Sequence, residues 1–390
     1  MQNNEREICM DNNLKGTSKI RFAYLDNVRS LVIILVITMH TAVTYSGFGG
    51  WYYVEGSPEK LSIFEVIFFG FLQSFLQAWF MGILFFISAF LAAKALTKRG
   101  SFDFIKERLF RLGLPLLLYV FIISPIIGLI LHDYNSGISL AENFFRYITS
   151  FSWLGSTGPL WYVETLLIFC VVYAISKKCF PNCIKIQNIN SKHIIFTILL
   201  TGITAFLVRL VFPIGSSFLN LQFAYFASYI IMFIAGILVG ENNLLDNFTD
   251  DKNIKWLKLS LVIGVPLWVI IMLLGGALEG YRYFDGGFCW QSLAFALWES
   301  LTAIGFSTGL IAFFKKNANV DNKFTGLMRD NAFGIYFFHA PILIIISLLL
   351  RRLALIPIVK FTLVTIITSV ICLIFTLFAR KIKPIGILFK

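Results

Sequence analysis

Ten apolar stretches, each long enough to cross a bilayer and each ended by a polar break, dictate most of what this chain can become. They cover roughly 22–45, 63–93, 112–131, 160–176, 194–213, 219–240, 256–276, 288–314, 331–350 and 354–379. A helix of about twenty residues rises about 30 Å, the depth of the hydrocarbon layer, and satisfies its own backbone there. Of the 390 residues 58% are hydrophobic and 14% charged, too few polar groups to cover a water-soluble surface of this size. The expected fold class is therefore all-α, a polytopic membrane protein of about ten transmembrane helices. The second and eighth runs exceed one bilayer thickness and are expected to tilt or project beyond the lipid.

The basic residues supply an independent check on that number. With the amino terminus inside, the inner segments collect Arg6, Lys15, Lys19 and Arg21, the group from Lys94 to Arg111, and Lys177, Lys178, Lys185 and Lys192. The same side takes Lys252, Lys255 and Lys258, then Lys315, Lys316, Lys323 and Arg329, and finally Arg380, Lys381, Lys383 and Lys390. These are 25 of the 33 basic residues, against seven outside, which fits both termini in the cytoplasm and an even number of spans. The net charge of +12 is then largely topology and contact with anionic lipids, and nucleic acid is a poor partner for it.

The organisation that follows is a polar cytoplasmic segment over 1–21, a ten-helix membrane domain over 22–380 and a basic cytoplasmic tail over 381–390. About twenty polar residues precede the first apolar run, which lacks a small-residue cleavage site, so that run is expected to stay as a helix rather than leave as a signal peptide. Of the six cysteines only Cys179 and Cys183 are closely spaced, they flank a proline, and no further Cys or His stands near, so no metal site is expected. The longest outer segment, about 132–159, is too short for a soluble domain.

Two ionisable residues lie inside the first span. Arg29 and His40 are eleven residues apart, which at about 100° per residue returns them to one helical face, with the imidazole roughly 16 Å further along the axis. For Arg29 an inert reading is available: it is near the inner edge and can snorkel to headgroups or pair with Asp26. His40 lacks that reach. It is either a neutral imidazole satisfied by a neighbouring helix or a proton acceptor facing a cavity, a task that suits a group titrating near neutrality.

Lys106-Glu-Arg-Leu-Phe-Arg111 forms a basic lip where the third span begins. Alone it reads as a headgroup anchor, yet the planar forks of Arg108 and Arg111 also suit the phosphates of a cytoplasmic cofactor. On the outer side Trp161 and Tyr162 read as an interfacial girdle, while Glu164, a turn deeper, is placed to partner a histidine or a hydroxylated acceptor. Glu299 and His339 fall near the middle of the eighth and ninth spans, and ionisable groups in several helices imply a shared polar interior. Glu65, Arg209 and Asp330 are read as structural.

At these residues the chain resembles the acyltransferase-3 family of integral membrane acyltransferases, with the branch that modifies periplasmic glucans its nearest suspected relative. The similarity is carried by Tyr24-Leu-Asp-Asn-Val-Arg29 with His40 as an R-x10-H pattern, Phe85-Phe-Ile-Ser-Ala89, Arg108-Leu-Phe-Arg111, Gly158-Pro-Leu-Trp-Tyr162 and Tyr336-x2-His339, an ordered set spanning nearly the whole chain. Ala89 stands where glycine is common in the family. The resemblance implies a ten-helix core, acyl-CoA from the cytoplasm as co-substrate with no permanently bound cofactor, and a hydroxyl-bearing envelope acceptor such as a glycan. It assigns the central catalytic role to His40 and donor-side roles to Arg29, Arg108 and Arg111, leaving Asp26, Glu164, Glu299 and His339 as acceptor-side or supporting polar residues. It also implies a bacterial cytoplasmic membrane, and no appended soluble esterase-like domain is expected.

Acyl transfer from a thioester needs a base for the attacking hydroxyl and a donor for the oxyanion, and His40 fits the first task. Direct transfer and a transient acyl-histidine both fit the residues. Acetyl and succinyl are the expected acyl groups. The rival function is a transporter or flippase, since many spans with buried charge also describe a substrate path, although the inverted repeat typical of such folds is not evident. A purely structural scaffold is a third reading, and it would tolerate loss of His40.

Overall fold

The structure is a computed structural model that describes residues 22–132, 139–181, 184–383 and 386. The 1–21 segment with its four basic residues, Cys9, Cys183, Lys390 and most of the carboxy-terminal tail lie outside the described residues. Ten membrane-length helices make up the fold: α1 (Ala23–Ser46), α2 (Ile63–Arg99), α3 (Ser101–Ile130), α4 (Gly158–Cys179), α5 (Ser191–Arg209), α6 (Phe223–Glu241), α7 (Leu245–Leu274), α8 (Trp290–Asn317), α9 (Lys323–Leu349) and α10 (Pro357–Ala379). The protein is thus an all-α, multi-pass membrane protein, and no strand occurs among the described residues.

The largest departures from the hydropathy reading lengthen helices beyond the expected spans. α2 has 37 residues, about 55 Å of helix, and α3, α7 and α9 begin eight to eleven residues before the expected spans. Hydropathy detects the part of a helix that lipid solvates. It does not detect where helical hydrogen bonding stops, and the polar residues that precede the third and ninth spans keep their intrahelical bonds, whereas α7 begins with a separate turn, Leu245–Phe248, broken at Asp250 before the main helix starts at Ile254. α2 starts with a capping box in which Ser62 and Glu65 satisfy each other's backbone amides, which gives Glu65 the structural role expected of it. α3 widens into π turns at Leu109–Gly113 and Tyr119–Ile123, and α8 does so at Leu301–Phe306.

α1, α2, α8 and α9 are the most enclosed helices, while α3, α5, α7 and α10 keep much of their surface toward lipid. α2 packs along α6 at close range, where a Cβ added at Gly236 would stand 2.8 Å from the Ala89 methyl. Ala89 is itself fully buried. The small residue that this crossing requires is therefore supplied by α6, which lets α2 carry alanine in place of the family's glycine.

Cross-links between loops fix the alternation of the helices. At one end, Asn27 donates to the carbonyls of Ala318 and Val320, Lys177 bonds Glu241, Lys315 bonds Asp246, and Arg380 reaches Asn331. At the other, Lys360 pairs with Glu55, Asn220 donates to Gly158, and Ile214 bonds the Asp285 carbonyl. The first of these, referred to below as the basic end, gathers the lysines and arginines assigned to the inner side from the sequence.

Candidate active site

His40 and His339 meet in the interior. Their rings lie nearly parallel, with centroids 5.3 Å apart and 18° between planes, and Trp51, from the loop after α1, lies on the face of His40 at 3.8 Å and 15° and only 6.3 Å from His339, so His339 sits beside the His40 ring rather than on its opposite face. Tyr336 continues the stack against His339 at 5.7 Å. The four rings come from three pieces of chain: His40 from α1, Trp51 from the 47–61 loop, and Tyr336 and His339 from α9.

Chemistry fixes the tautomer of His339. Its Nδ1 is 2.5 Å from the Tyr336 carbonyl, which can only accept, so Nδ1 carries the proton, while Nε2 is buried without a partner. His339 has no exposed surface; His40 is half-buried, and no hydrogen bond engages either of its ring nitrogens among the described residues. An imidazole with both nitrogens uncommitted, enclosed by rings yet open on one side, is free to take a proton from a group that approaches it. Pro341 follows two residues after His339 and removes one backbone amide from the turn that carries it.

A cavity of about 90 Å³ is lined by Arg29, Ile33, Ser88, Tyr162, Leu166 and Tyr336 among others, and Tyr336 is the member of the ring cluster that forms part of its wall. Arg29 stands at its polar mouth with Nη1 3.5 Å from Asp26. Tyr162 shares a 2.8 Å hydrogen bond with Ser88 and donates to the Leu84 carbonyl. The Tyr336 hydroxyl donates to the Pro159 carbonyl. Segments that are scattered along the sequence, Arg29 to His40, Phe85 to Ala89, Gly158 to Tyr162 and Tyr336 to His339, therefore converge on one passage. Gly158 is required there: its φ is +49°, and a Cβ would lie 2.9 Å from the Tyr119 hydroxyl. Beside it Tyr52 lies 3.5 Å from that hydroxyl, and burial raises the pKa of the Tyr52 phenol above its ordinary value, so it stays a neutral donor.

The basic lip divides. Arg108 lies over the Phe104 ring at 5.0 Å with Nε buried and unpartnered, whereas Arg111 is exposed and 3.3 Å from Glu107. The π turn at Leu109–Gly113 separates them, because its wider turn rotates Arg111 off the face that it would share with Arg108 in a regular helix. Only Arg29 of the three arginines lines the cavity.

The remaining polar residues fall into other settings. Glu164 is half-buried at the start of α4 with Oε2 unpartnered. Glu299 pairs with Arg209, which is fully enclosed, donates to the Ala224 carbonyl and lies over the rings of Tyr225 and Phe295; neither histidine is among its partners. Asp330 bonds Arg329 beside Arg380. Trp161 and Tyr162 correct the girdle reading, since Tyr162 is buried and Trp161 packs 5.4 Å from Tyr229 and 6.4 Å from Phe85 inside the bundle. The residue that sequence reasoning missed is Trp51. Its only sequence signal is a run of aromatics, Trp51-Tyr-Tyr53, in a glycine-rich loop one turn past the span that carries His40.

Neither a curated protein nor a solved structure gives a significant match to this chain. The family model described as an acyltransferase domain matches residues 22–377, which takes in all ten helices and every residue of the histidine stack. The chain is accordingly an enzyme, a multi-pass acyltransferase that belongs to the acyltransferase-3 family.

Proposed function

We propose that this acyltransferase moves an acyl group, acetyl or succinyl, from cytoplasmic acyl-CoA to a hydroxyl of an envelope glycan, with His40 as the base. The observation that carries the reading is the uncommitted imidazole of His40, packed against Trp51 and His339 in a ring cluster whose Tyr336 also lines the cavity beside Arg29. In this scheme the basic end faces the cytoplasm of a bacterial cell and contacts anionic lipids. The acceptor arrives from the opposite side, where Trp51 and Tyr52 border the site. The charged part of the donor then never crosses lipid.

As the acceptor oxygen attacks the thioester carbonyl, His40 takes the hydroxyl proton. The carbon–sulfur bond breaks, and the departing thiolate receives that proton from the imidazolium, so the enzyme ends as it began. His339 lies beside His40 with its ring nearly parallel and limits how far that ring can shift. At about 90 Å³ the passage has room for about three waters, less than a pantetheine arm needs, so donor binding requires side chains along it to swing aside.

The test is mass spectrometry of envelope glycans from matched cells with and without the protein, joined to incubation of the purified enzyme with acetyl- and succinyl-CoA and an envelope glycan. A defined acyl mass on the glycan is the expected result. Substrate flux into sealed vesicles without covalent change would instead favour a transporter.

Donor recognition gives a graded expectation. Arg29→Gln and Arg108→Gln should each weaken acyl-CoA binding by roughly 10- to 100-fold, since a charge-assisted hydrogen bond is worth about 1.5–3 kcal/mol. Arg111→Gln should do much less, because that side chain is exposed and engaged with Glu107. Titration calorimetry with CoA in detergent checks the order, and equal affinities across the three variants would return the arginines to lipid anchoring.

A further inference from the structure

Lys360 is in the first turn of α10, at the end of the bundle remote from the basic end. A lysine so near a helix terminus ordinarily extends its ammonium to the headgroups. This one turns inward. Its side chain is 4% exposed, its Nζ bonds the Glu55 carboxylate and, at 3.3 Å, the Arg351 carbonyl, and it lies 5.7 Å from the Tyr45 ring centroid. Arg351 and Arg352, both exposed next to it, are free to face the interface in its place.

Glu55 belongs to the loop that presents Trp51. That loop is tied to α1 at its start, through the Gly47 amide on the Val43 carbonyl and the Phe48 amide on the Ser46 hydroxyl, and where it returns, through the amides of Glu55 and Gly56 on the Thr44 carbonyl at 2.8 and 2.9 Å. Between Gly49 and Val54 no main-chain hydrogen bond forms among the described residues, so the placement of Trp51 depends on side-chain packing and on the anchor four residues later. Tyr53 also reaches the Glu55 carboxylate, at 3.5 Å. A buried ion pair adds little net stability against an apolar pair of the same shape, because desolvation offsets the attraction, but it fixes a relative position.

We infer that the Lys360–Glu55 pair is a positioning device for the reaction: it straps the 47–61 loop to α10 and thereby holds Trp51 flat on His40. This rests on the reading of His40 as the base. Lys360 acts through Trp51 and touches no reactant. The packed indole keeps the imidazole in one orientation and keeps bulk water from its face, and loosening the strap gives up both.

The test uses the full-length protein purified in detergent. Lys360→Met should raise the rate at which diethyl pyrocarbonate modifies His40 by about tenfold, resolved by peptide mass spectrometry, while exposed His193 keeps its wild-type rate as an internal reference. Turnover with acetyl- or succinyl-CoA should fall roughly 10- to 100-fold with the donor KM unchanged, the scale expected when a reacting group is displaced by about 1 Å. Lys360→Arg should restore both readings. Trp51→Ala combined with Lys360→Met should be no slower than Trp51→Ala alone, because the two act in series. Should Lys360→Met fail to fold, Glu55→Gln carries the same expectations with its altered group nearer the surface. Wild-type labelling of His40 in the strap variants, or losses that multiply in the double variant, would overturn the inference. The base reading fails separately, by full turnover in His40→Ala, and the labelling rates report on the strap in either case.

Discussion

His40→Ala should lower acyl-transfer turnover by roughly 10²–10⁴-fold, the usual contribution of a positioned general base, while leaving membrane insertion and acyl-CoA affinity largely intact. Binding should survive because Arg29, to which the proposal assigns the donor phosphates, is about 16 Å of helix away from the imidazole. Truncation removes the ring that Trp51 and His339 both pack against but exposes no unpaired charge, so the bundle should hold. His40→Gln restores some bulk and polarity without a group able to take the proton, and its turnover should stay near that of alanine. Steady-state kinetics in detergent, run alongside CoA binding, distinguish the outcomes. Full turnover in His40→Ala would remove the base assignment and move attention to His339.

His339→Ala is expected to be milder. With Nδ1–H held by the Tyr336 carbonyl, His339 keeps a lone pair on Nε2, but its ring is fully enclosed whereas His40 is half-buried, so an approaching hydroxyl reaches His40 first. Its loss opens a void beside His40 and lets that ring tilt. The cost should therefore appear in kcat, as disordered geometry, rather than as the disappearance of a chemical step.

The parts of this architecture that were legible in the sequence share a physical cause. Lipid imposes one rule along a whole segment, so ten apolar runs read as ten helices, and alternating basic loops read as alternating ends. The same rule makes ionisable groups within spans conspicuous, which is why Arg29, His40, Glu299 and His339 could be singled out one by one. What could not be read was which of them meet. The separation between Arg209 and Glu299 is 90 residues, and between Lys360 and Glu55 it is 305. Nothing local in α8 distinguishes a glutamate that serves chemistry from one that neutralises an arginine. Trp51 was missed for the opposite reason, since aromatics next to a span resemble interface anchors and only the return of the loop over α1 turns one of them inward. The split between Arg108 and Arg111 needed the π turn, and its only trace in the sequence is a glycine and a proline after the second arginine.

Glu299→Gln should destabilise the protein more than any other single change considered, because it leaves the guanidinium of Arg209 charged in a site with no exposed surface. Among the described residues the Arg209 guanidinium bonds the Ala224 carbonyl and meets two aromatic faces besides this carboxylate, and one of its terminal nitrogens lacks a partner. Breaking such a pair from one side costs about 3–5 kcal/mol, which corresponds to a fall in melting temperature on the order of 10 °C. Replacing both residues, as Arg209→Met with Glu299→Leu, removes the stranded charge and should recover most of the loss. The pair ties α5 to α8, and neither histidine is bonded to it. Turnover per folded molecule should therefore stay within a few-fold of wild type in the double variant. If that variant is instead as inactive as His40→Ala while melting normally, Glu299 serves the chemistry after all, and the polar interior is larger than the histidine stack.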